Sequence, residues 1–126
     1  MSAKHCPFCE LSQSRIIAAN EWAVGIRDAY PVTEGHSLVI PRRHIADFFS
    51  LTAEEALACN TLLSELRTTI LAADKSVSGF NIGVNAGADA GQTIFHCHVH
   101  LIPRRHGDVE NPRGGIRHVI PGKGSY

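Results

Sequence analysis

TAEEALACNTLLSELRTTILAA, residues 52–73, is the longest stretch of the chain that repeats apolar residues at helical spacing. Thr52 followed by Glu55 is a capping-box pair, in which each side chain satisfies a backbone N–H that the first helical turn leaves orphaned. Behind it Ala56, Cys59, Leu63, Leu66, Ile70 and Ala73 recur at intervals of three and four, which predicts one amphipathic helix over 53–73. Upstream stand RIIAA (15–19), AVGIR (23–27) and HSLVIP (36–41), and downstream FNIGVN (80–85) and FHCHVHLIP (95–103). These runs favour strands and are bounded by turn residues. Three strands, a helix and two strands predict an α+β fold with a largely antiparallel five-stranded sheet, because too few helices alternate with strands to build a parallel one. Shorter helical turns are expected within 45–51 and after Cys9.

At 126 residues the chain is expected to form a single domain over 1–126, with a tail from about 107 that is rich in Gly, Pro and Arg and largely irregular. Its 44% apolar and 19% charged composition contains no apolar run of the roughly 18 residues needed to span a bilayer. No membrane partner is expected. Lys plus Arg equals Asp plus Glu at 12 each, so no global field favours a nucleic acid, and any anion must be recognised locally. The start, MSAKHCPFCELSQ, lacks the apolar segment of a secretory signal, so the expected compartment is cytoplasmic. Four cysteines are too few for a disulfide scaffold; Cys6-Pro7-Phe8-Cys9 reads as a metal half-site or a redox pair, and Cys59 and Cys97 as buried thiols.

His96, His98 and His100 alternate with Cys97 and Val99. On a strand they share one face while Phe95, Cys97, Val99 and Leu101 take the other. A lone histidine is ordinarily a satisfied polar residue; three in register point to chemistry. One reading is metal ligation, although at about 3.3 Å per residue His96 and His100 lie about 13 Å apart, near the limit for sharing an ion, which favours a division of labour. The other reading is nucleophilic attack on phosphorus by a neutral imidazole, whose Nδ1–H is held by a main-chain carbonyl so that Nε2 is free. His98, at the centre, suits that role. Just upstream NAGADAGQT (85–93) is a small-residue loop that lets backbone N–H groups approach phosphate, or a tight connection between strands.

His96-Cys97-His98-Val99-His100-Leu101-Ile102 resembles the signature of the histidine triad (HIT) family. GHSLVIPRRH (35–44) resembles the first block of that family and VNAGADAGQTIFHCHVHLIPRR (84–105) the second, so the likeness spans residues 5–105. The resemblance implies a HIT-like α+β fold, a homodimer whose two five-stranded sheets join, and nucleotide hydrolysis or nucleotidyl transfer at the α-phosphate. It implies that His98 is the nucleophile, with Nδ1–H held by the carbonyl of His96, and that His100 contacts phosphate or leaving-group oxygens. His36 matches an additional histidine that supports the triad. Gly91, Gln92 and Thr93 match phosphate-binding loop positions, Asn85 a position held by Asn or Gln, and Asp28 a residue that holds ribose hydroxyls.

In members with an N-terminal Cys-x-x-Cys the resemblance further implies a structural zinc ion, here on Cys6, Cys9, His44 and His96, with His5 as an alternative to His44. A saturated Cys₂His₂ shell leaves no position for a reacting water. Substrate class stays open among dinucleoside polyphosphates, nucleoside phosphoramidates and sugar nucleotides, as does a nucleotide-binding module with little turnover. AGQT and LIPRR resemble the dinucleoside-polyphosphate branch, Asn85 the phosphoramidate branch, and the tail lacks a Trp-Pro-Pro ending. Dinucleoside polyphosphates are the expected substrates. Arg113 and Arg117 are candidates for polyphosphate contact across a dimer interface, against the reading as solvated arginines.

Overall fold

The computed structural model describes residues 5–126; Met1 to Lys4, counted in the expected domain, lie outside the described residues. Strands β1 (Ile16–Ala19), β2 (Ala23–Arg27), β3 (Ser37–Pro41), β4 (Val77–Gly83) and β5 (Val99–Arg105) form one sheet in the order β1-β2-β3-β5-β4. Every neighbouring pair is antiparallel. Helix α1 (Ala53–Ala73) lies across one face. The α+β architecture is therefore the expected one.

Helix α1 has the predicted limits because both ends are closed locally. Thr52 Oγ1 accepts the Glu55 backbone N–H at 3.1 Å, and the Thr52 N–H donates to Glu55 Oε1 at 2.9 Å. At the other end Asp74 caps the helix, and its Oδ1 accepts the Ser76 N–H at 2.9 Å. The buried stripe is Ala58, Cys59, Leu62, Leu66 and Ile70, rotated from the predicted one, which had included Ala56 and Ala73. It packs on Ala23, Val39, Val99 and Leu101, and full burial of each large aliphatic side chain contributes about 1.5–3 kcal/mol. Leu66 lies so close to β2 that a Cβ on Gly25 would meet its Cδ1 at 3.1 Å, which keeps that strand position small.

The last two strands depart from expectation. Strand β4 covers 77–83 rather than 80–85, and β5 covers 99–105 rather than 95–103. β4 starts early because the turn at Asp74 delivers Val77 directly opposite Arg105. β5 starts late because the Cys97 N–H leaves the ladder and donates to the Ile45 carbonyl at 2.6 Å, so β4 runs out of partner at the Gly83–His100 pair. His96 and His98 consequently stand before the strand, and the picture of three imidazoles on one strand face is corrected to a single strand residue, His100, preceded by an irregular segment.

The short helical turn expected within 45–51 is a 3₁₀ turn, Phe48–Ser50, capped by Asp47. Another such turn, Gln13–Arg15, follows Cys9, the tail after β5 holds one at Gly115–Val119, and the guanidinium groups of Arg113 and Arg117 both lie over the Tyr126 ring, at 4.9 and 4.8 Å. Among the described residues no helix is long and apolar enough to cross a membrane.

Candidate active site

The Cys97–Ile45 bond aligns the triad segment with the chain leaving β3, which brings His96 beside His44 with ring centroids 5.1 Å apart. His96 is fully buried, and its Nε2–H donates to the Pro41 carbonyl at 2.7 Å. Nδ1 therefore carries the lone pair. It faces Cys6 Sγ and Cys9 Sγ, each at 3.4 Å, while Cys9 Sγ stands 3.2 Å from His44 Nδ1. Zinc with Zn–S near 2.3 Å and Zn–N near 2.0 Å in a tetrahedron places neighbouring S and N ligands about 3.5 Å apart. The four donor atoms lie within 4.8 Å of one another, so the set fits such an ion. The Pro41 carbonyl behind His96 is the outer contact that orients a ligating imidazole.

His98 is half-buried, and its Nδ1 lies 2.8 Å from the carbonyl oxygen of His96. A carbonyl only accepts, so Nδ1 carries the proton, and in the neutral ring Nε2 presents the lone pair. The carbonyl can serve His98 because the His96 side chain is pinned elsewhere. The His98 and His100 rings are 5.3 Å apart.

The proton positions on the other side of the site follow from one backbone donor. The Val32 N–H donates to His36 Nδ1 at 3.1 Å, so the neutral His36 ring carries its proton on Nε2. That Nε2 lies 2.9 Å from His100 Nδ1 and 3.4 Å from Asp28 Oδ2. His100 Nδ1 is thus an acceptor, and its Nε2 carries a hydrogen. Burial, then the neighbouring His98 and His36, push His100 down to about 4, so it is neutral at pH 7. Burial also lowers His36, opposed by Asp28. Asp28, His36 and His100 cluster closely enough for a metal, but both ring nitrogens of His36 are already engaged, and the group is a His36–His100 hydrogen bond with the Asp28 carboxylate beside it. The site offers a lone pair on His98 and a donor on His100.

The loop between β4 and β5 turns on Gly87 and Gly91, whose φ values of 96° and 99° need the freedom of glycine, around a 3₁₀ turn at Ala88–Ala90. Gln92, expected at phosphate, is buried and holds the loop together. Its Oε1 accepts the Gly87 N–H at 2.9 Å, and its amide nitrogen donates to the carbonyls of Ala46 and Ile94 at 3.0 and 3.1 Å. Asn85, Gly91 and Thr93 are exposed on the same loop. Asp28 is placed against His36, with its Oδ1 accepting the Tyr30 N–H at 2.8 Å.

Phe8 was not singled out from sequence. Its ring meets His98 edge-on, at 5.0 Å between centroids and 70° between planes, and meets His96 at 6.1 Å and 85°. An aromatic inside a Cys-x-x-Cys turn was the available signal.

The HIT domain profile matches residues 10–107. An uncharacterized HIT-like protein of Mycoplasma genitalium is 40% identical over 103 residues, covering 79% of this chain and 72% of the relative. An adenylylsulfatase of Arabidopsis thaliana is 34% identical over 107 residues, 82% of this chain and 54% of that protein. Among solved structures, a Zn-bound histidine triad family protein from Mycobacterium smegmatis superposes with a TM-score of 0.77 at 32% identity, covering 87% of this chain and 82% of the other. Plasmodium falciparum diadenosine triphosphate hydrolase superposes with a TM-score of 0.69 at 26% identity, covering 80% and 68%. Triad, sheet order and these matches agree, and the chain belongs to the histidine triad (HIT) family.

Proposed function

We propose that this protein is a nucleotide hydrolase or nucleotidyl transferase that attacks the α-phosphorus through His98, with dinucleoside polyphosphates as its substrates. The observation that carries the reading is the 2.8 Å bond from His98 Nδ1–H to the His96 carbonyl, which in the neutral ring puts the lone pair on Nε2. In the first step Nε2 forms a bond to phosphorus while the bond to the leaving phosphate oxygen breaks and the leaving group departs with the electron pair. The ring becomes a nucleotidyl imidazolium, and its Nδ1–H faces the partial negative charge of the His96 carbonyl, which stabilises the new positive charge. His100 donates Nε2–H to a phosphate or leaving-group oxygen. In the second step water attacks the same phosphorus, the P–N bond breaks, the proton of the water passes to solvent, and His98 returns to its neutral tautomer.

The exposed Asn85, Gly91 and Thr93 of the glycine-rich loop are assigned to the nucleotide phosphates, and Asp28 to a ribose hydroxyl through the oxygen not used by Tyr30. Cys6, Cys9, His44 and His96 would hold one zinc ion, which supplies a cross-link between the N-terminal turn and the triad segment. Two of the proteins similar to this chain are named for adenylylsulfate and diadenosine triphosphate. Both compounds join an adenylyl phosphorus through an anhydride oxygen to a good leaving group, which suits a neutral imidazole nucleophile.

A homodimer built on β4 belongs to the same reading. β4 ends the sheet, and Ile82 on it and Phe49, which line one groove together, are 49% and 81% exposed. An unpaired strand edge flanked by apolar surface is a ready template for a second copy. A cytoplasmic setting accords with four free cysteines.

The test is turnover across dinucleoside polyphosphates, nucleoside phosphoramidates and nucleotide sugars, with His98→Asn alongside. Fastest turnover of dinucleoside polyphosphates, and a nucleotidyl adduct that is acid-labile and absent from His98→Asn, are the expected results. Appreciable turnover by His98→Asn with nucleotide binding intact would remove His98 from the chemistry.

A further inference from the structure

We propose that Phe8 is a positioning residue for His98, holding the plane of the nucleophilic imidazole from the side that the triad itself leaves open. The proposal rests on the reading of His98 as nucleophile. One hydrogen bond, to the His96 carbonyl, decides which nitrogen of His98 carries the proton, but a single bond leaves the ring free to tilt about it. Two rings restrict that tilt. His100 approaches at 5.3 Å with its plane turned by 60°, and Phe8 at 5.0 Å with its plane turned by 70°. An edge-to-face aromatic contact has a preferred geometry, unlike a generic apolar one.

Phe8 is itself held on two sides. It packs on the apolar patch of Val24, Ile26, Leu38 and Ile40, and it sits in a turn closed by the Cys9 and Glu10 N–H groups donating to the Cys6 carbonyl at 3.1 and 3.2 Å. Cys6 and Cys9, the residues on either side of the Pro7-Phe8 pair, aim their thiols at His96 Nδ1. The residues suited to hold zinc thus grip both supports of His98: the main chain of His96, which fixes its tautomer, and the turn that carries Phe8. With a metal held there, Cys6 and Cys9 would tie these two contacts together while the ion stood outside the reaction.

The comparison of Phe8→Leu with Phe8→Tyr separates this role from simple packing. Leu keeps an apolar side chain on the Val24–Leu38 patch and loses the ring edge; Tyr keeps the edge. Expected for Phe8→Leu is a fall in kcat of about tenfold with KM within about twofold, and near-parental kcat for Phe8→Tyr. A KM rise at unchanged kcat would instead place Phe8 in substrate binding and overturn the proposal, as would a fully active Phe8→Leu.

A second measurement needs no substrate. Long-range ¹H–¹⁵N spectra of the imidazoles in the metal-loaded protein should show a single Nδ1–H form of His98. Phe8→Leu, and separately Cys6→Ser/Cys9→Ser, should show broadened signals or a mixture of tautomers. Parental His98 spectra in both variants would overturn the proposal even if no substrate were turned over. If the spectra change as expected while the parental protein hydrolyses no nucleotide, the positioning role stands and the catalytic reading fails.

Discussion

His36 Nε2 stands 2.9 Å from His100 Nδ1, and the proton between them belongs to His36, because the Val32 backbone N–H occupies the other nitrogen of that ring. A main-chain amide in the loop between β2 and β3 thereby decides which face of His100 can donate. The same loop is anchored by Arg105, whose guanidinium reaches Thr33 Oγ1 at 2.7 Å and the Glu34 carbonyl at 3.0 Å.

Replacing His36 by Ala removes the donor to His100 Nδ1 and lets its proton move to that nitrogen, withdrawing the Nε2–H from the substrate. The expected result is a kcat lower by about 10–100-fold with little change in KM, on the scale of other lost orienting contacts. His36→Gln, which retains an N–H donor, should recover part of the loss. Steady-state kinetics of the two variants decide it.

His100 should titrate with a midpoint near 4, well below an ordinary imidazole, and Asp28→Asn should lower it further because the carboxylate opposes the depression. Between pH 6.5 and 4 the unfolded chain takes up this proton and the folded protein does not. Stability from this group is therefore present above 6.5 and is lost as pH falls toward 4. Imidazole chemical shifts against pH, with thermal melts over the same range, test both halves; a midpoint at the ordinary value would show the ring to be solvated.

The purified protein should carry about one zinc ion per chain, and Cys6→Ser/Cys9→Ser should carry none. Loss of that cross-link should lower the melting temperature by about 5–10 °C, and parental protein treated with a chelator should match the double variant. Metal analysis and calorimetry check this; full zinc content in the double variant would locate the ion elsewhere.

Ile82→Lys should turn the proposed dimer into monomers without unfolding them, because Ile82 is half exposed on the outermost strand. Sedimentation velocity of parental and variant proteins is the measurement. A monomeric parental protein would leave the exposed Phe49 and Ile82 without their proposed cover.

Local features were legible in the chain where the forces that set them are local. Thr52 and Glu55 close on each other within one turn, so the start of α1 could be placed from neighbouring residues alone, and its end from Ala73, the last apolar residue at helical spacing. Gly87 and Gly91 marked their turns by the backbone angles that only glycine enters readily. Cys6, Cys9, His44 and His96 were joined into one ligand set only through the resemblance to the family, since the residues alone marked Cys6 and Cys9 as a half-site, and the fold brings their donor atoms together.

What the sequence by itself determined is thus the helix and the succession of strands along the chain, and it named the side chains proposed to carry chemistry. The tertiary structure decided where β5 begins, since the Cys97 N–H could join the ladder or bond to Ile45, more than fifty residues away, and no local preference distinguishes the two. It also turned Gln92 inward to hold its own loop, set Phe8 against His98, and assigned the protons of His36 and His100. Each of these depends on a partner remote in the chain, and a hydrogen bond between distant groups exists only once packing has brought them within reach.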